Sequence, residues 1–141
     1  MTPGDHREGS PSPPARGRSG GASAGPEGRR FTRAEHIRRR QDYEAVYERG
    51  SRLSGALMTV FFLPNSVGIA RLGIAATRKI GPAVGRNRAK RRVREVFRHT
   101  RPADALDIVV IPRRELIDAP FERVQREFSG LLTRHRRRVH A

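Results

Sequence analysis

Residues 72–98 read LGIAATRKIGPAVGRNRAKRRVREVFR, and the last thirteen, RNRAKRRVREVFR (86–98), carry seven basic side chains and one acid. Such a run is either an unfolded cationic tail or a folded surface, and its periodicity decides between them. At 100° per residue, Ala89, Val93, Val96 and Phe97 share one arc of about 100°. Asn87, Arg91, Arg94 and Arg98 gather within about 60° on a flank nearly opposite. Arg86, Lys90 and Arg92 border the apolar arc, where their stems can follow a core edge while their heads reach water. An unfolded tail has no reason to keep an apolar stripe in phase, so residues 85–101 are predicted to form a helix with one face in a core. The other flank is single-signed apart from Glu95. Like charges at i and i+4 cost a few tenths of a kcal/mol per pair. Nothing on that face offsets them, which favours an external polyanion over a merely solvated surface.

Working outward from the helix, IARLGIAAT (69–77) reads as a strand. LSGALMTVFFL (53–63) reads as an extended segment that Ser54-Gly55 interrupts, and Pro64-Asn65-Ser66 supplies turn chemistry between the two. The expectation is an antiparallel hairpin of these two segments. LDIVVIP (106–112) has the continuous β-branched character of a buried strand. Ile37, Tyr43, Val46 and Tyr47 mark a short first helix ended by Gly50, with no Ser, Asp or Asn cap at its start. Phe121, Val124, Phe128, Leu131 and Leu132 mark a last helix, with Glu122 and Glu127 early and Arg134 and His135 late, as its macrodipole favours. The fold class is therefore α+β, a single sheet with helices in the order α-β-β(-β)-α-β-α.

Residues 1–30 are mostly Gly, Pro, Ser and Ala with Arg, and lack large apolar side chains after Met1. They are predicted to be a disordered extension, with the domain over 31–138 and a short tail at 139–141. The whole chain has 141 residues, 30 Lys and Arg against 14 Asp and Glu, and a formal charge of +16. Only Lys79 and Lys90 are lysines; arginine's planar fork pairs with phosphate in bidentate fashion. Cysteine is absent, which excludes disulfides and Cys-based zinc sites. No apolar run approaches the length of a membrane span, so a cytoplasmic protein without membrane attachment is expected. The histidines show no metal-binding spacing, and Glu44 and Glu48 alternate with Arg40 and Arg52 as an ion-pair ladder would.

TRKIG followed by RNRAKRRVREVFR resembles the signature of the bacterial ribonuclease P protein subunit, the small basic partner of a catalytic RNA. RRRQDYEAVYERG (38–50) is similar to the family's aspartate-aromatic-x-x-Val-aromatic segment followed by Gly. Together the resemblance covers about residues 31–138. It implies a ribosomal protein S5 domain 2-like fold with a left-handed β-α-β crossover, although generic chain handedness would favour the opposite hand. It also implies the protein part of an endoribonuclease that removes the 5′ leader of precursor tRNA. In such an enzyme Mg²⁺, held mainly by the RNA subunit, activates water. The implied partners are ribonuclease P RNA, in a 1:1 holoenzyme, and precursor tRNA.

By the same resemblance, Arg78, Lys79, Arg86, Asn87, Arg88, Lys90, Arg91, Arg94 and Arg98 would meet the catalytic RNA. Asn87 is open to a second reading, a local cap at the helix start. The leader would lie in a cleft between the first helix and the sheet, against Tyr43, Tyr47 and Phe61, with Arg52 and Arg71 toward its phosphates. Stacking of unpaired bases on such rings is worth about 1–3 kcal/mol each. Plain core packing is the competing reading for all three aromatics. The family often has phenylalanine where this chain has the two tyrosines; both offer a π face. No catalytic side chains are assigned to the protein itself. A ribosomal RNA-binding protein would share the charge but not the TRKIG-to-RNR order, and nothing marks a DNA-binding helix-turn-helix.

Overall fold

A computed structural model of the chain describes residues 32–139; the extension expected at 1–30 and the end of the tail lie outside these. Three helices and four strands run in the order α1 (Arg40–Arg49), β1 (Ser51–Ser54), β2 (Met58–Pro64), β3 (Arg71–Ile74), α2 (Ala83–Thr100), β4 (Leu106–Pro112) and α3 (Phe121–Val139). Single 3₁₀ turns occupy Arg33–Glu35, Arg78–Ile80 and Arg114–Leu116. The α+β class and element order are those read from the sequence.

The sheet order is β1-β2-β4-β3. β2 pairs antiparallel with β1 and β4, and β3 pairs parallel with β4, so α2 is the crossover between two parallel neighbours. This corrects the predicted hairpin. β2 and β3 do not pair, because β4 lies between them, and the hairpin is instead β1–β2, turning at residues 55–57. The reason lies in β4: Leu106, Ile108 and Val110 are buried on one face and Val109 on the other. A strand apolar on both faces gains most in the centre of the sheet. The predicted strand at 69–77 is correspondingly short and sits at the edge, where the backbone N–H of Ile37 donates to the Leu72 carbonyl at 2.9 Å.

Alternation along β2 and β4 divides the core in two. Met58, Val60, Phe62, Leu106, Ile108 and Val110 face α2 and α3, while Val109, with Phe61 and Leu63 at its margin, faces α1. Ala89, Val93, Val96 and Phe97, the apolar arc of the basic helix, are all buried. Burying large apolar side chains of this kind stabilises by about 1.5–3 kcal/mol each, which outweighs several like-charge pairs at a few tenths of a kcal/mol each. The helix therefore holds its shape without its polyanion.

Local chemistry sets the ends. Gly81 adopts φ +132°, a value that favours glycine, and Pro82 follows as the N-cap of α2. Gly50 ends α1, as expected, in extended conformation (φ −79°). Its requirement is space: a Cβ there would stand 2.5 Å from the Val46 carbonyl oxygen and 3.0 Å from that of Phe62.

His135 of α3 is buried and stacks on Phe62, ring centroids 4.6 Å apart. Burial above all pushes its imidazole below the ordinary 6.5, with Arg138 and Arg136 adding to the effect and Asp104 opposing it. The unfolded chain protonates near pH 6.5 while the folded chain resists. Stability is therefore complete above that pH, declines as the pH falls below it, and stops declining below the depressed folded value. Unfolding midpoints measured from pH 7.5 to 5 should show a shallower decline in His135→Leu than in the parent.

Candidate nucleic-acid interface

α2 begins well before its basic run, at Ala83, so Asn87 stands in the second turn and is no helix-start cap. It is exposed, with no hydrogen-bonding partner among the described residues. Arg88, Arg91 and Arg94 are exposed with it, and Arg78 and Lys79 stand out on the preceding 3₁₀ turn, which Thr77 caps by accepting from the Lys79 backbone N–H at 3.3 Å. Two members of the predicted set have local work. Arg86 donates to the Gly81 carbonyl at 3.0 Å, bracing the turn against the helix, and Arg98 pairs with Glu95 at 2.8 Å. Lys90 is partly covered; burial lowers its pKa, and Arg94 and Arg86 lower it further. Arg94 is lowered likewise, by burial first and then by Arg91. The flank is charged against its own repulsion.

The same flank reaches the first helix. Arg94 interacts electrostatically with Tyr43 and with His36 in the segment leading into α1. α1 lies on the sheet face formed by Phe61, Val109 and Gly73. The two tyrosines have different fates there. Tyr43 is 1% exposed, and its ring fills the hollow over Gly73, where a Cβ would meet Tyr43 Oη at 2.8 Å. Burial pushes its hydroxyl up to about 12, against a backbone hydrogen bond at Ile74. A ring so enclosed packs the core; as a stacking platform Tyr43 is corrected. Tyr47 and Phe61 are only half-buried and meet edge to face, centroids 5.3 Å apart. Arg52 is exposed and directly opposite Phe61 in the β1–β2 pairing, hence on the same face.

Arg71 also differs from expectation. Its Nε and Nη2 donate to the two oxygens of buried Asp107 at 2.8 and 2.7 Å, and Asp42 lies 3.8 Å away. A guanidinium committed to a bidentate pair ties β3 to β4 and is not a free phosphate ligand. Glu44 pairs with Arg40 at 4.0 Å, as the ladder reading expected.

One cation was missed. Arg113, just after β4, donates to Thr59 Oγ1 at 3.1 Å and to the Gly55 carbonyl at 3.2 Å. Thr59 lies two residues from Phe61 on the same face of β2, so Arg113 borders the open end of that face. Its signal was the Arg113-Arg114 pair immediately following a predicted strand.

The arrangement is thus a basic helix flank, a basic turn leading into it, and a pair of half-open aromatic rings beside the first helix. Against known proteins, the ribonuclease P family model matches residues 31–136. The chain belongs to the ribonuclease P protein family. It is 43% identical to the ribonuclease P protein component of Thermotoga maritima over 96 residues, covering 67% of this chain and 81% of that protein. With the component of Syntrophus aciditrophicus it shares 38% over 104 residues, 72% and 87% of the two chains. The solved RNase P protein of Thermotoga maritima superposes with a TM-score of 0.64 at 37% identity, covering 71% of this chain and 96% of that one. The Staphylococcus aureus RNase P protein gives 0.64 at 31%, covering 72% and 94%. As a ribonuclease P protein subunit, the chain serves tRNA processing in an endoribonuclease whose catalytic component is RNA.

Proposed function

We propose that the exposed flank of α2, with the Arg78–Lys79 turn, docks on ribonuclease P RNA in a 1:1 cytoplasmic holoenzyme, and that the 5′ leader of precursor tRNA runs over the Tyr47–Phe61 face. The observation that carries this reading is proximity: Arg94 of the basic flank is near enough to the first helix to act on Tyr43 and His36, and Tyr47, with its ring centroid 6.5 Å from that of Tyr43, opens the aromatic face one helical turn further on. Asn87, Arg88, Arg91 and Arg94 supply the phosphate and amide contacts. Arg52 and Arg113 flank the rings where leader phosphates would pass. Single-stranded RNA is read by such a combination of stacking surfaces and cations.

Hydrolysis is assigned to Mg²⁺ held by the RNA subunit. Among the described residues no three His, Asp or Glu side chains gather as a metal site. No helix among them is long and apolar enough to cross a membrane. The protein's contribution is to favour precursor over mature tRNA.

Cleavage of precursor tRNA by ribonuclease P RNA at low Mg²⁺ tests the reading. Adding the protein should raise the cleavage rate in a leader-length-dependent way, and an unchanged rate would sink it. Tyr47→Ala and Phe61→Ala should each weaken holoenzyme affinity for precursor by about 5- to 100-fold, one stacked base's worth. Affinity for mature tRNA and for ribonuclease P RNA should be unaltered, as equilibrium binding of each RNA would measure.

A further inference from the structure

α3 buries one face and presents arginine on the other. At 100° per residue, Arg123, Arg126, Gly130, Arg134 and Arg137 fall within about 80° of one another. They lie on the side away from the buried Val124, Phe128 and Leu131. All five are exposed, and none of the four arginines makes an ion pair among the described residues. Of the two acids on α3, Glu127 accepts from the backbone N–H groups of Ala56, Leu57 and Met58. Only Glu122 is left at the margin of the face. Like charges three residues apart, as at 123/126 and 134/137, repel, and nothing on this face offsets them.

Gly130 stands at the centre, four residues from Arg126 and Arg134 and seven from Arg123 and Arg137. Glycine inside a helix is unfavourable, because its backbone loses the most freedom on folding. Elsewhere in this chain a missing Cβ is used internally: Tyr43 fills the space over Gly73, and the Glu127 carboxylate fills that at Gly55. An added Cβ at Gly130 would meet nothing within 4 Å, and its φ is not positive. Neither packing nor backbone geometry calls for glycine here. The result is a bare stretch of helix open to the outside, with a pair of guanidinium groups at either end. The inner pair is about 12 Å apart along the axis. A partner's backbone can approach closely at such a place, and the forks beside it match phosphate oxygens.

We propose that this face is a second docking surface for ribonuclease P RNA, with a phosphodiester strand seated at Gly130 between the paired arginines. The choice of occupant rests on the α2 docking proposed above. α3 packs beside α2 on the same side of the sheet: His99 meets Phe121 edge to face, ring centroids 5.4 Å apart, and Arg92 donates to the Ala119 carbonyl. An RNA docked on α2 stands on that side. The Tyr47–Phe61 face lies on the other side of the sheet with α1, so the leader's path does not reach α3. A second copy of the chain would bring the same positive face and be repelled.

The test uses the full-length chain and ribonuclease P RNA alone, with affinity measured against salt. Arg126→Ala/Arg134→Ala should bind about 20-fold more weakly near 0.15 M salt, with a log–log slope shallower by about 1.5, as two lost phosphate contacts give. Gly130→Gln removes no charge, yet its side chain occupies the seat and should weaken binding by about 5-fold, the worth of one contact. The same variant should melt higher than the parent, since glutamine is the better helix former. Tighter folding with weaker binding is a pairing that a merely structural role for α3 would not give. Parent-like affinity in either variant would overturn the proposal. A loss confined to precursor tRNA titrated onto assembled holoenzyme would overturn it too, because the occupant would then be the substrate. Arg91→Glu/Arg94→Glu, assayed alongside, reports on α2 by itself, so the two readings fail separately.

Discussion

Arg91→Glu/Arg94→Glu should bind ribonuclease P RNA about 10²–10³-fold more weakly near 0.15 M salt, with a salt slope shallower by about 2. Counterion release sets the size. Each phosphate contact on structured RNA contributes a slope of roughly 0.7–0.9, equivalent to about a 4- to 5-fold affinity gain at that salt. Losing two contacts costs about 20-fold, and turning both positions into repelling anions costs roughly as much again. Stability should move the other way. Both side chains are exposed on a helix whose Lys90 and Arg94 are already disfavoured by cationic neighbours. Glutamate at 94 relieves that repulsion and gains i,i+4 partners in Lys90 and Arg98. Glutamate at 91 gains Arg88 at i−3 and meets Glu95 at i+4 and the new acid at i+3, so attractive pairs outnumber repulsive ones where the parent has the reverse. A free protein that melts no lower than the parent while binding hundreds of times more weakly would place the loss at the interface. Equal assembly by the variant would remove α2 from the RNA contact.

α2 was legible because two signals coincided in one local stretch: an apolar arc at helical period and a single-signed flank. β4 was legible for a related reason, since an unbroken β-branched run has few other uses. Strand pairing was not legible, because it depends on competition between segments. β4 displaces β3 from β2 by being apolar on both faces, and neither segment announces that comparison alone. Tyr43 and Tyr47 show the limit at the site. They share a helix face and the same side chain, yet one is sealed and the other half-open. The difference comes from Gly73, whose missing Cβ makes the hollow that takes the first ring. Arg71 was placed toward the leader phosphates, but its partner Asp107 is 36 residues away and lies on another strand. Local periodicity carries the recognition helix, while the choice between platform and core is made by contacts across the sheet.

The turn of the β1–β2 hairpin rests on another distant contact, and Glu127→Ala should destabilise the protein more than any surface change at the RNA interface. From α3, the Glu127 carboxylate accepts from the backbone N–H groups of Ala56, Leu57 and Met58, at 3.1, 2.8 and 3.1 Å. Leu57 and Met58 are each 1% exposed, so their donors have no ready access to water once the carboxylate is gone. Leaving a buried donor unsatisfied costs about 1–3 kcal/mol, and bonds to a charged group lie at the upper end. Two such donors and one exposed one give a loss of about 3–5 kcal/mol, or a melting temperature lower by roughly 15–25 °C for a domain of this size. Glu127→Gln keeps one acceptor oxygen but turns an amide toward the remaining N–H groups, so it should fall between the parent and alanine. Gly55 belongs to the same device: a Cβ there would stand 2.4 Å from Glu127 Oε2, so Gly55→Ala should reproduce part of the loss by pushing the carboxylate away. Because the turn carries Arg52 and Phe61 on the strands either side of it, function should follow stability. Precursor affinity at 25 °C should drop with the fraction unfolded and recover on cooling toward the stability maximum, which a direct loss of RNA contacts would not do. A Glu127→Ala protein melting within a few degrees of the parent would show that the hairpin closes on its own backbone bonds and that α3 merely leans against it.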